Sequence, residues 1–201
     1  MLNIREEDFI GKGSHKKCYR HPDDSSKCIK MAYSEEGWKD LKRELEYIEV
    51  MNRKGKDYSV LPKYYGGVKT NLGNGYVYDF ITNYDGTKCI TLEDVIRDET
   101  LFLKTFDVLA LKLIELKSIL LKNEIITMGL WPENIIIQYV DKDNFRLRVI
   151  NDMGSAALIP LEYYFSYVAK LRVRKRWNRF LGTLKTNYGS KLVDKLVEEI
   201  C

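Results

Sequence analysis

The chain has 201 residues, 45% of them hydrophobic and 31% charged, which excludes a disordered protein and fits one domain or two small halves sharing a cleft. Its 33 Lys and Arg against 29 Asp and Glu leave a net charge of +4, too mild to name a nucleic-acid partner by itself. Cys18, Cys28, Cys89 and Cys201 form no CxxC pair, which speaks against a zinc site or a disulfide framework and for a reducing compartment.

The N-terminal stretch Met1–Asp8 carries acids where a signal peptide needs a basic and then an apolar run. No apolar run approaches the ~18 residues that span a bilayer, so a cytoplasmic protein is expected. Asp8-Phe9-Ile10, Lys17-Cys18-Tyr19 and Lys27-Cys28-Ile29-Lys30-Met31 read as strands. The first turn between them is glycine-rich, and the second is the polar run His21–Ser26. Cys18 and Cys28 read as small hydrophobes of this hairpin. Trp38, Leu41, Leu45, Ile48 and Met51 recur at helical spacing and predict a helix from Glu36 to about Arg53. Val68–Thr82 predicts strand, interrupted by a turn at Asn71–Gly75. Thr91, with Asp94 three residues on, resembles a helix start. Leu103, Phe106, Leu109, Ala110, Leu113, Leu116 and Leu120 then predict a long helix over Leu101–Lys122. Ile135–Ile137 and Leu147–Ile150 read as a strand hairpin, and the chain beyond Gly154 as helix. Strands with one helix, followed by a helix-rich part, make an α+β arrangement in two lobes.

Three groups of residues could carry chemistry. Gly11-Lys12-Gly13-Ser14-His15-Lys16 begins like a loop whose glycines let backbone N–H groups approach phosphates; the competing reading is an ordinary hairpin turn. Lys30 interrupts an apolar strand, and a buried ammonium needs a partner, for which Glu44 on the next helix is the candidate. A surface lysine at a strand end is the plain alternative. Asn134 and Asp152 flank a strand hairpin and could together hold Mg²⁺ with a nucleotide's phosphates as further ligands; taken singly they are a turn residue and a turn cap.

The set Gly11-x-Gly13, Cys28-Ile29-Lys30, Glu44, Leu130-x-Pro132-Glu133-Asn134 and Asp152-Met153-Gly154 resembles the protein-kinase motif series. More narrowly, four stretches resemble the bacterial YrbL family, named for its place in the PhoP regulatory network. These are Gly13–Asp24, Arg43–Tyr47, Gly75–Asp79 and Leu158–Leu161. The resemblance implies a two-lobed kinase-like fold, with a β-rich N-lobe at 1–82 and a short, truncated helical C-lobe at 83–201. It implies ATP and Mg²⁺ as cofactors. Gly11 and Gly13 would cover the phosphates, Lys30 would pair with the α/β-phosphate oxygens, and Glu44 would hold Lys30. Asp79 to Ile81 would form the hinge behind the adenine, and Asn134 and Asp152 would bind the metal.

Two departures from the kinase pattern stand out. The position of the catalytic aspartate is Gly129, preceded by Thr127-Met128, and the lysine that usually follows is Trp131, so no catalytic residue is assigned. Only residues 155–201 follow Gly154, without an Ala-Pro-Glu-like segment, so no peptide-substrate platform is expected.

The first expectation is therefore a pseudokinase-type regulatory module in a PhoP-linked envelope or stress response, with an unknown protein or phosphorylated small molecule as partner. The second is a slow phosphotransferase acting on a small molecule or envelope sugar, with a base such as Glu133. The third is a scaffold or nucleic-acid-binding protein whose working surface is the basic C-terminal helix. Leu161, Tyr164, Phe165, Val168 and Leu171 form a helical stripe, and Lys170, Arg172, Arg174, Lys175, Arg176 and Arg179 cluster around Trp177 and Phe180. That cluster reads either as a solvated helix face or as a site for phosphate-bearing partners: anionic lipid, a phosphorylated sugar or, less favoured, nucleic acid.

Overall fold

A computed structural model describes residues 1–201. The first part of the chain is an antiparallel five-stranded sheet in the order β1-β2-β3-β5-β4, from Phe9–Lys12 (β1), Lys16–His21 (β2), Asp24–Ala32 (β3), Tyr64–Thr70 (β4) and Gly73–Asp79 (β5). Helix α1 (Glu35–Lys54) connects β3 to β4; Ser34 caps it by accepting from the Gly37 N–H at 3.1 Å, and Gly55 ends it in the left-handed region.

Two glycines set close contacts here. A Cβ on Gly37 would lie 2.3 Å from the His15 carbonyl oxygen, so its absence lets the start of α1 rest on the β1–β2 turn. A Cβ on Gly75 would lie 2.4 Å from Ile29 Cγ2, so β5 can lie flat against β3. The β4–β5 ladder runs to the Thr70–Gly73 pair, so the turn is only Asn71-Leu72, and Gly73–Gly75, expected in the turn, belong to the strand. β4 likewise starts at Tyr64, earlier than Val68.

The second part holds β6 (Ile90–Thr91), α2 (Leu92–Arg97), α3 (Glu99–Asn123), β7 (Ile135–Tyr139), β8 (Phe145–Val149), α4 (Ser166–Tyr188) and α5 (Lys191–Ile200). The three strands form a small sheet in the order β6-β7-β8. Thr91 caps α2 in a capping box with Asp94, as the sequence predicts. None of the helices is long and apolar enough to cross a membrane.

One continuous core runs from Tyr47 and Tyr78 through Leu109 and Leu113 to Trp177 and Leu196, joining both parts. Ile4, Tyr19, Ile29, Met31 and Val77 form a smaller cluster.

Three expectations about faces need correction. Trp38 and Leu103, placed in buried stripes by spacing, are exposed. The chain beyond Gly154 becomes helical only at Ser166, apart from one 3₁₀ turn at Leu161–Tyr163. In α4 the buried stripe is Ala169, Val173, Trp177, Phe180, Leu181 and Leu184. Leu161, Tyr164 and Phe165 lie before α4 and are exposed, and Leu171 is exposed because the buried row of α4 packs on α3 and α5 and turns its side away.

Candidate functional site

The glycine-rich segment is a tight hairpin turn. The Gly13 N–H donates to the Lys16 carbonyl at 2.9 Å, and the Tyr33 hydroxyl donates to the Gly13 carbonyl at 2.7 Å. Neither Gly11 nor Gly13 has positive φ, and a Cβ on Gly11 would meet nothing within 4 Å. The fold therefore does not itself demand glycine at these positions.

Lys30 lies on β3 with only 7% of its surface exposed. Its ammonium donates to the Ile150 carbonyl at 2.8 Å and to Asn151 Oδ1 at 3.0 Å, and stands 4.7 Å over the Tyr78 ring. Glu44, fully buried on α1, does not pair first with Lys30: Oε2 is 3.8 Å from that amine and accepts no hydrogen bond. Its close partner is Lys16, whose Nζ donates to Oε1 at 2.5 Å. The reason is local, since the Gly37–His15 contact brings the start of β2 alongside α1.

Asp152 follows directly. Its backbone is left-handed, with φ of 61°. Its Oδ2 accepts from Asn134 Nδ2 at 3.0 Å, and Asn134 Oδ1 accepts from Asn151 Nδ2 at 3.2 Å. Burial pushes the Asp152 carboxyl above the usual carboxylate range; Lys16 and Lys30 oppose that and Glu44 adds to it. Lys30, Glu44, Asn134 and Asp152 are thus brought into one cluster, together with Lys16 and Asn151.

The donor set suits Mg²⁺ only in part. Asp152 and Asn134 supply hard oxygen atoms, but no group of three or more His, Cys, Asp or Glu side chains stands ready to hold a metal, so phosphate oxygens would have to complete the shell.

Other expected residues sit apart. The Asp79 carboxylate accepts from the Lys63 N–H at 2.9 Å and the Tyr65 hydroxyl at 2.8 Å, and it lines a separate hollow of about 410 Å³ with Arg146 and Arg148. Its backbone, and that of Ile81, run behind Cys28 and Cys89, whose thiols donate to the Asp79 and Ile81 carbonyls at 3.5 and 3.7 Å. Cys18 and Cys28 are free thiols on neighbouring strands; donation from the Cys28 thiol toward Cys18, with burial, pushes the Cys28 thiol far up.

At Gly129 the side-chain space is already filled, because a Cβ would lie 2.2 Å from Trp131 Nε1. Trp177 and Phe180 are buried, so Lys170, Arg174, Lys175 and Arg179 do not surround them but point outward. Arg172 pairs with buried Glu162 at 3.1 Å, and Arg176 Nε is buried without an acceptor.

A sequence model of the family described as "PhoP regulatory network protein YrbL" matches residues 2–185. The chain belongs to the YrbL family. The protein described as "Uncharacterized protein YrbL" from Escherichia coli (strain K12) is 35% identical over 184 residues, covering 90% of this chain and 87% of that relative. The same figures hold for the one from Shigella flexneri.

Sequence reasoning missed three parts of this candidate site. Lys16 enters the sequence reading only as the end of the glycine-rich segment, and its 28-residue separation from Glu44 gives no local signal of their pairing. Asn151 adjoins Asp152 and carried no motif. Trp131 marked a lost lysine, but nothing in its spacing said that it would cover Gly129.

Proposed function

We propose that this YrbL-family protein is a cytoplasmic nucleotide-binding regulatory module of the protein-kinase type, with a β-rich lobe over 1–82 and a reduced helical lobe over 83–201, that holds ATP with Mg²⁺ and lacks the usual base. The observation that carries it is the convergence of Lys30 on β3 and Asp152 beyond β8: the Lys30 amine bonds to Ile150 and Asn151, the two residues before Asp152. A lysine on the third strand, a buried glutamate on the following helix, and an Asn–Asp pair across a hairpin are the parts a kinase uses to hold phosphates and metal. Glycines at 11 and 13 that neither φ nor packing requires leave close approach of a ligand as their reason.

In this reading Lys30 exchanges its bonds to Ile150 and Asn151 for phosphate oxygens, Glu44 and Lys16 fix its direction, and Asp152 and Asn134 present oxygen atoms to the ion. Mg²⁺ would supply charge neutralisation of the phosphates. Trp131 over Gly129 excludes a base at that position. Glu133 is solvent-exposed, so its side chain is not fixed as a replacement. The module therefore serves binding and change of shape rather than rapid transfer, within the PhoP-linked setting that the family's description gives.

Thermal denaturation with and without Mg²⁺·ATP tests this. Saturation at 100 times Kd stabilises by about 2.7 kcal/mol and should raise Tm, and Lys30→Met should remove the rise. An unchanged Tm in protein freed of bound nucleotide defeats the reading.

A further inference from the structure

Seven of the nineteen exposed large apolar side chains fall within fourteen residues: Leu158, Ile159, Leu161, Tyr164, Phe165, Tyr167 and Leu171. Leu158 is 99% exposed and Ile159 69%, at the tip of the loop that leads from Asp152 to α4. This tip is anchored from beneath. The Tyr163 hydroxyl accepts from the Ser155 N–H at 2.7 Å, the Tyr163 ring packs on Tyr47 of α1, and Ser155 Oγ donates to Glu162 at 2.6 Å. The Leu161 and Ala169 N–H groups, each bonded at 3.0 Å to the Ile159 and Phe165 carbonyls, wind the segment into the start of α4. A fixed, outward-pointing apolar tip is what remains.

Charge is segregated to the same place. Residues 155–193 hold eight Lys or Arg and one acid, Glu162, whereas the whole chain carries only +4. The remainder is therefore net acidic by three. Glu162 is buried and already paired with Arg172. Tyr167, Leu171, Lys175 and Arg179 stand four apart along α4 and are all exposed, so one outward row passes from apolar to basic. Beside it, burial and the neighbouring Arg172 and Arg179 push the Arg176 guanidinium below its usual range, a sign of positive charge short of counter-charge.

We infer that this face docks on an anionic phospholipid bilayer, Leu158 and Ile159 entering the headgroup–acyl boundary, Tyr164, Phe165 and Tyr167 lying at headgroup level, and Arg174, Lys175 and Arg179 meeting the lipid phosphates. A convex tip of aliphatic side chains has no use on a nucleic-acid backbone, and aromatic residues beside basic ones suit the membrane interface. The docking goes beyond the nucleotide reading and does not depend on it.

Co-sedimentation with vesicles of phosphatidylglycerol and phosphatidylcholine, against phosphatidylcholine alone, tests it on the full chain. Partition should require phosphatidylglycerol and weaken from low to physiological salt. Lys175→Gln with Arg179→Gln should cost on the order of 25-fold, about fivefold for each charge. Leu158→Asn with Ile159→Asn should cost about tenfold or more, from loss of apolar contact. All four side chains are exposed, so circular dichroism and the Mg²⁺·ATP response should not change in either variant. No partition into the anionic vesicles at low salt overturns the inference. So does partition that the Leu158/Ile159 pair leaves untouched, which would mark a charge-only surface for nucleic acid or an acidic protein.

Discussion

Asp152 shows at the scale of one residue what the candidate site costs the fold. Burial raises its pKa above the ordinary 3.8, so the folded chain holds the proton more tightly than the unfolded one. Stability must then fall as pH rises from about 4 through the raised value, and the loss persists at neutral pH. Asp152→Asn removes that loss. Asparagine also tolerates the left-handed backbone at this position, where alanine would be strained. The variant should melt higher than wild type at neutral pH, show a flatter acid dependence of Tm, and lose its response to Mg²⁺·ATP. A lower Tm with the nucleotide response intact would contradict both roles. Gly129 is the opposite case: Gly129→Asp would drive a Cβ into Trp131 and should cost about 1–3 kcal/mol by overpacking, relieved when Trp131→Ala is added, as urea denaturation would show.

At the scale of elements, α1 is the part that links the sheet to everything after it. Its buried Tyr47 hydroxyl donates to the Glu124 carbonyl at 3.1 Å and accepts from the Ile126 N–H at 2.7 Å. Tyr47→Phe keeps the ring but strands two buried backbone groups, so a loss of about 1–3 kcal/mol in urea denaturation is expected. A change below about half a kcal/mol would mean that water or backbone movement satisfies them.

Elements were also where the sequence was most and least legible. The α1 and α3 helices, the β7–β8 hairpin and the Thr91 cap follow from periodicity and capping chemistry, because each is decided within a few residues. The stripe from Leu161 to Leu171 is as apolar as a buried face, but the helix begins only at Ser166, and the packing of α3 and α5 decides which side of α4 is covered. Lys30, Asn134 and Asp152 could be named from motif order. Lys16 as the nearer partner of Glu44 could not, since that pairing depends on how closely Gly37 lets α1 approach the first turn.

For the whole molecule, the deciding feature is that one core of 38 buried residues spans the sheet-rich and helix-rich parts. A protein with separate cores would unfold in two steps; this one should unfold in one. Far-UV circular dichroism reports all five helices, and tryptophan fluorescence samples Trp38 on α1, Trp131 over Gly129 and Trp177 on the buried face of α4. The two urea transitions should therefore coincide. Nucleotide adds a sharper test. Its phosphates would replace the bonds that Lys30, in the first part, makes to Ile150 and Asn151 in the second. A ligand bridging both parts stabilises the unit as a whole, so Mg²⁺·ATP should move both transitions to higher urea by the same amount with m unchanged. Mg²⁺ alone should move neither, because the chain offers the ion too few ligands without phosphate. Transitions that separate on adding nucleotide would place the bound ligand on one part only and dissolve the bridge between Lys30 and Asp152.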